Sequence, residues 1–142
     1  MEYVKNPENK CSQLEVFNDD PGHKLEIMFS LQEKLQNSLG NNLKDLSWEK
    51  KVEKFKEMFI ALLDEQNEAL NRLAWKPWKK YEKIDLNEEE NLELYFEILD
   101  SWFFLINQCL IFGLDAKKFF NLYIAKHKEN IDRISRGYSK VQ

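Results

Sequence analysis

Two pairs of carboxylates give this chain its chemical interest. Glu65 and Glu68 lie in LLDEQNEAL, and Glu97 and Asp100 lie in FEILDSWFF. Residues three apart on a helix share a face, so each pair forms an acidic clip. The second clip sits in the most apolar stretch of the chain, Leu92 to Phe112. A buried carboxylate without a partner costs several kcal/mol and is normally paired, protonated or bound to a metal. If the helices carrying the clips are antiparallel neighbours, four carboxylates converge. An all-oxygen ligand set without Cys or His suits Mg²⁺ or Mn²⁺. Taken alone, each clip is also what a solvated helix face looks like, ExxE more often than ExxD.

Cationic and aromatic residues lie near the clips in sequence. WKPWKK, from Trp75 to Lys80, follows the first clip. Its indoles could hold a base or anchor the loop, and Lys76 and Lys79 can neutralise phosphate. Lys126, Asn130 and Arg133 are four and three apart, so they share one helical face. An acidic metal site beside a cationic clamp is the combination expected for chemistry on a nucleoside polyphosphate.

These groups need elements to position them. Leu25, Met28, Phe29, Leu31, Leu35 and Leu39 recur at helical spacing, and Gly40-Asn41-Asn42 closes that helix. Ser47 is placed to cap a long second helix ending near Ala74 or Trp75, ahead of Pro77. Asn87 followed by Glu88-Glu89-Glu90 reads as a capping box for a third helix reaching Phe112, with Gly113 as its stop. Asp115 caps a last helix that Gly137 ends. The expected fold is therefore an all-α helical bundle, one domain over 23–142, preceded by a polar N-terminal arm over 1–22. The third helix is apolar almost all round and must be covered on every side. Three other helices cannot do this easily, so a homodimer is expected to complete the bundle.

The totals agree. At 142 residues the chain has room for one core, and 43% hydrophobic with 32% charged residues is ordinary for a globular protein. Four Gly and three Pro leave little room for the turns of an all-β fold. A net charge of −4 argues against nucleic acid as a partner. Cys11 in the polar arm and Cys109 in the apolar run suggest reduced thiols rather than a disulfide framework. MEYVKNPENK lacks a signal-peptide core, and charges interrupt the apolar run, so no membrane partner and a cytoplasmic location are expected.

From Leu25 to Tyr138 the chain resembles the dimeric all-α dUTPase family, within the all-α NTP pyrophosphatases that include MazG-like enzymes. LEIMFSLQEKLQNSL resembles its first motif, with Gln32 at the uracil-reading position. ExxE followed by WKPWKK resembles the second motif, and ExxD the third. The tail is similar to YxxKNxxNxxRQxxGY at Tyr123, Lys126, Asn130, Arg133, Gly137 and Tyr138. The resemblance implies hydrolysis of dUTP to dUMP and pyrophosphate with Mg²⁺ on Glu65, Glu68, Glu97 and Asp100. It implies Glu65 as catalytic base and Lys76, Lys79, Lys126, Asn130 and Arg133 on phosphates. Gln32, with Trp75 or Trp78, would receive the base. Gln36, Asn37, Phe103, His127 and Ile134 depart from the family pattern, which touches substrate choice more than chemistry. The alternatives are the same fold acting on dCTP or other nucleotides, and a non-catalytic helical interaction protein.

Overall fold

A computed structural model of the chain describes residues 22–137. Most of the expected N-terminal arm, with Cys11, and Tyr138 of the tail pattern lie outside the described residues. Four helices follow in order: α1 Lys24–Ser38, α2 Trp48–Asn71, α3 Glu88–Ile111 and α4 Ala116–Ser135, with a short 3₁₀ turn at Leu43–Asp45 before α2. Among the described residues there is no strand, so the expected all-α class holds.

Local chemistry sets the helix ends. Ser47 Oγ accepts from the Lys50 amide at 3.3 Å, and Asp115 Oδ1 accepts from the Lys118 amide at 2.8 Å. At α3 both halves of the capping box form: Asn87 Oδ1 accepts from the Glu90 amide, and Glu90 Oε2 accepts from the Asn87 amide, each at 2.8 Å. Gly113, at φ 71°, ends α3 in the left-handed region that a side chain disfavours. The Leu114 amide then reaches Cys109 O at 2.9 Å and the Gly113 amide reaches Leu110 O at 3.2 Å, satisfying carbonyls the helix leaves open.

One boundary differs from expectation. α2 stops at Asn71, not at Ala74 or Trp75. The Leu73 amide turns back to Leu70 O at 3.0 Å, and Trp75 Nε1 folds back onto Asn71 Oδ1 at 3.2 Å. The chain therefore leaves the helix several residues before Pro77 would force it out.

α3 is the central helix, and α2 is its main partner. The two run antiparallel. Phe55 near the start of α2 meets Phe112 just past the end of α3, with ring centroids 5.8 Å apart, while Arg72 past the end of α2 meets Glu97. Between them Gln66 Nε2 donates to Ser101 Oγ at 2.6 Å. α1 crosses α3 on another side, and Phe29 meets Phe119 of α4 at 6.0 Å. Phe29, Leu43, Met58, Ile106, Leu110, Ile111 and Ala116 form the buried core. By length and composition α3 could cross a bilayer. Three of its polar residues bond to neighbours: Ser101 to Gln66 of α2, Asn107 to Gln32 of α1, and Glu97 to Arg72 at the end of α2. Its outer face, with Tyr95, Ile98, Trp102 and Phe103, stays exposed.

Candidate functional site

The α2–α3 pairing brings the two acidic clips together. One carboxylate oxygen from each of Glu65, Glu68 and Glu97 lies within 4.8 Å of the other two. Asp100, one turn along α3 from Glu97, stands close enough to act on Glu65 electrostatically. The crowding shows in the protonation equilibria. Glu65 is raised from 4.5 to about 7, first by desolvation, then by the charges of Asp100, Glu68, Glu97 and Asp64. Glu68 is raised chiefly by a hydrogen bond with Glu97 and then by its charge. Burial and Glu97 raise Asp100. Like charges this close bind protons or a cation. A set of carboxylate oxygens, with no thiolate or imidazole among them, fits a hard divalent ion such as Mg²⁺ or Mn²⁺.

A residue that spacing alone did not single out completes the cluster. Arg72, the C-cap of α2, donates from Nε at 2.9 Å and Nη2 at 2.7 Å, both to Glu97 Oε1. Its Nη2 is also 3.8 Å from Oε2 of the buried Glu93. The available signal was its place four residues after Glu68, on the same helical face. Asp64, exposed on α2, adds to the field at Glu65 and Glu68.

The WKPWKK segment forms a loop closed on itself. The Lys79 amide reaches Lys76 O at 3.2 Å around Pro77, a turn that proline's fixed φ favours. The Lys76 amide donates to Tyr81 Oη at 3.3 Å. Trp75 and Trp78 meet edge to face at 5.7 Å. The Lys76 ammonium lies 5.7 Å from the Trp75 ring centre, and that of Lys79 lies 5.4 Å from the Tyr81 ring centre. Trp75 thus anchors the loop, whereas Trp78 is 74% exposed.

Gln32 is buried on α1, and its Nε2 donates to Asn107 Oδ1 at 2.8 Å. Asn107 is itself 1% exposed, and its Nδ2 reaches Met58 Sδ at 3.4 Å. Gln32 lines an apolar groove of about 310 Å³ between α1 and α3, with Leu31, Leu35, Leu99, Trp102 and Phe103. Leu99 is the neighbour of Asp100 in the chain, so groove and carboxylates share one stretch of α3. Gln36 is also buried and accepts from Asn41 Nδ2 at 3.1 Å, which ties down the end of α1.

Lys126, Asn130 and Arg133 lie on α4, which packs principally on α1. Lys126 and Asn130 are exposed, and Arg133 Nε donates to Glu129 Oε1 at 2.9 Å. Within one chain, then, the four carboxylates gather on the α2–α3 hairpin, while the tail cations stand on a helix whose main packing partner is α1.

No protein-family model matches the chain, and no solved structure matches it. Among known proteins, a dCTP pyrophosphatase of Enterobacteria phage LZ5 is 30% identical over 148 residues, spanning 85% of this chain and 84% of that protein. A dCTP pyrophosphatase of Enterobacteria phage T4 is 31% identical over 94 residues, spanning 61% of this chain and 55% of that protein. A DNA replication protein of the same phage is 30% identical over 84 residues, 54% of this chain and 21% of that much longer protein.

Proposed function

Because this chain belongs to the family of nucleoside triphosphate pyrophosphatases that the two phage proteins represent, we propose that it hydrolyses dCTP to dCMP and pyrophosphate with Mg²⁺. The observation that carries the chemistry is the convergence of Glu65, Glu68 and Glu97 within 4.8 Å, with Asp100 beside them. The names of the relatives favour dCTP over the dUTP that the motif resemblance implies. Gln32 would read the base edge: one amide hydrogen goes to Asn107, and its second N–H and its carbonyl oxygen are left for a ligand, a pair that fits either pyrimidine.

Glu65, Glu68, Glu97 and Asp100 would hold the divalent ion, which supplies charge neutralisation to the triphosphate and acidifies bound water. Glu65 would take the proton of the attacking water. The water oxygen bonds to the α-phosphorus, the bond from that phosphorus to the bridging oxygen breaks, and pyrophosphate leaves. Lys76 and Lys79 turn from their aromatic rests to the phosphates, and Lys126, Asn130 and Arg133 add further contacts from α4. Trp75 fixes the loop, and the exposed Trp78 stacks on the base. A second copy of the chain covers Tyr95, Ile98, Trp102 and Phe103 on α3, giving a homodimer that works on the cytoplasmic nucleotide pool.

Pyrophosphate release from dCTP, dUTP, dTTP and UTP, each with Mg²⁺ and with EDTA, tests this reading. Mg²⁺-dependent release from dCTP supports it. Release from dUTP alone restores the substrate implied by the motifs, and no release from folded protein refutes the enzymatic reading.

A further inference from the structure

We infer that Arg72 is a positioning residue for the divalent-ion site, holding the Glu97 carboxylate where Glu65 and Glu68 can share a ligand with it. The inference rests on the metal-binding reading above and concerns a residue outside the acidic clips. Three observations carry it. First, the guanidinium makes two hydrogen bonds to a single oxygen, Glu97 Oε1, at 2.9 and 2.7 Å, so Arg72 does not hold Oε2. Arg72 thus leaves the second oxygen to the rest of the cluster, where Glu97 also shares a hydrogen bond with Glu68 that a bound ion would replace. Second, the guanidinium is itself braced. Its Nη2 lies 3.8 Å from Oε2 of Glu93, one turn back on α3, where Glu93 is buried. Third, Arg72 is the C-cap of α2, one turn beyond Glu68, where the negative end of the helix dipole favours a cation. The end of α2 is thereby fastened to the two turns of α3 that carry Glu93 and Glu97.

The need for such a fastening follows from the charges. Glu97 has Glu65, Glu68 and Asp100 around it, all of like sign, and its side chain is only 13% exposed. Without a fixed counter-charge, repulsion would drive the Glu97 side chain out of the cluster whenever the ion is absent. Arginine suits this task because its planar fork is rigid and its charge is permanent.

Two physical effects oppose each other here, and their sign separates positioning from bare electrostatics. A cation beside a metal site repels the metal, so by charge alone, removing Arg72 tightens metal binding. If Arg72 positions Glu97, removing it weakens binding. Partners that orient metal ligands typically contribute about 10- to 100-fold in affinity.

The test is Mn²⁺ binding to the full chain, followed by EPR and calorimetry, for wild type, Arg72→Gln and Arg72→Lys. Melting in EDTA and circular dichroism confirm that each variant folds. The expected result is Mn²⁺ affinity about 10- to 100-fold weaker in Arg72→Gln, and about tenfold weaker in Arg72→Lys, whose ammonium keeps the charge but not the fork. A purely structural role would lower melting in EDTA and leave the affinity of the folded protein unchanged. Unchanged or tighter binding in Arg72→Gln overturns the proposal, whereas weakened Arg72→Gln with full wild-type affinity in Arg72→Lys supports positioning by a tethered cation and overturns only the need for the planar fork. Wild type that binds no Mn²⁺ sinks the metal reading itself and this proposal with it, a failure visible before any variant is compared.

Discussion

Glu65→Gln is expected to make the metal-free protein more stable while abolishing turnover. The side chain keeps its size and loses the charge that Asp100, Glu68, Glu97 and Asp64 oppose. The sign follows from linkage. A group whose pKa rises on folding stabilises the fold below its unfolded pKa, and that contribution is lost as pH climbs through the folded value. For Glu65 the window runs from 4.5 to about 7. Above it the folded protein carries an ionised carboxylate among like charges, and glutamine carries none. The full shift would correspond to a ceiling of about 3 kcal/mol, but Glu65 is only half-buried, and solvent screening reduces the expected gain to about 1 kcal/mol at pH 8. For a chain of this size that is a rise of roughly 3 to 4 °C in Tm. Differential scanning calorimetry in EDTA at pH 5 and pH 8 reads it directly. The variant should match wild type near pH 5 and exceed it at pH 8. Added Mg²⁺ should reverse the order, because the ion stabilises only the protein that can bind it. A variant less stable than wild type at pH 8 in EDTA would show that the four carboxylates do not repel one another as described.

Asn107→Ala should cost about 3 kcal/mol, since it leaves Gln32 Nε2 buried without its acceptor and opens a cavity beside Met58; urea unfolding measures this, and a loss below about 1 kcal/mol would mean the network relaxes. In solution the chain should scatter light as a particle of twice its 17.1 kDa mass, and a monomer at micromolar concentration would remove the second copy as the cover for α3. Proton release should accompany Mg²⁺ binding near pH 7, because Glu65 must give up its proton to bind the ion, and apparent affinity should rise from pH 6 to pH 8.

What could be read from the sequence is what depends on local geometry. Caps at Ser47, Asn87 and Asp115 involve a side chain and an amide three residues on, so residue type and spacing reveal them. The two clips are visible for the same reason. Arg72 on Glu97, Gln66 on Ser101 and Gln32 on Asn107 were not, because each bond depends on the register between helices, which the packing of many side chains sets. The end of α2 was misplaced because Pro77 limits only how far a helix can run. α2 ends at Asn71, where the Arg72 and Leu73 amides close onto the Ala69 and Leu70 carbonyls, well before that limit.

All four carboxylates and Arg72 belong to a single helical hairpin, α2 and α3, joined by the loop that Tyr81 ties to Lys76. Their contacts join two helices that follow one another in the chain, so the acidic cluster assembles when two successive helices dock. Gln32 and the tail cations sit outside the hairpin, on α1 and α4. On the proposed function, the ion-binding carboxylates are thus carried by the hairpin and the polar group that would read the base by α1. Substitution around Gln32 would then alter which nucleotide is held while the carboxylate cluster stays as it is, a division of labour that would let one scaffold diversify its substrates without reinventing its chemistry.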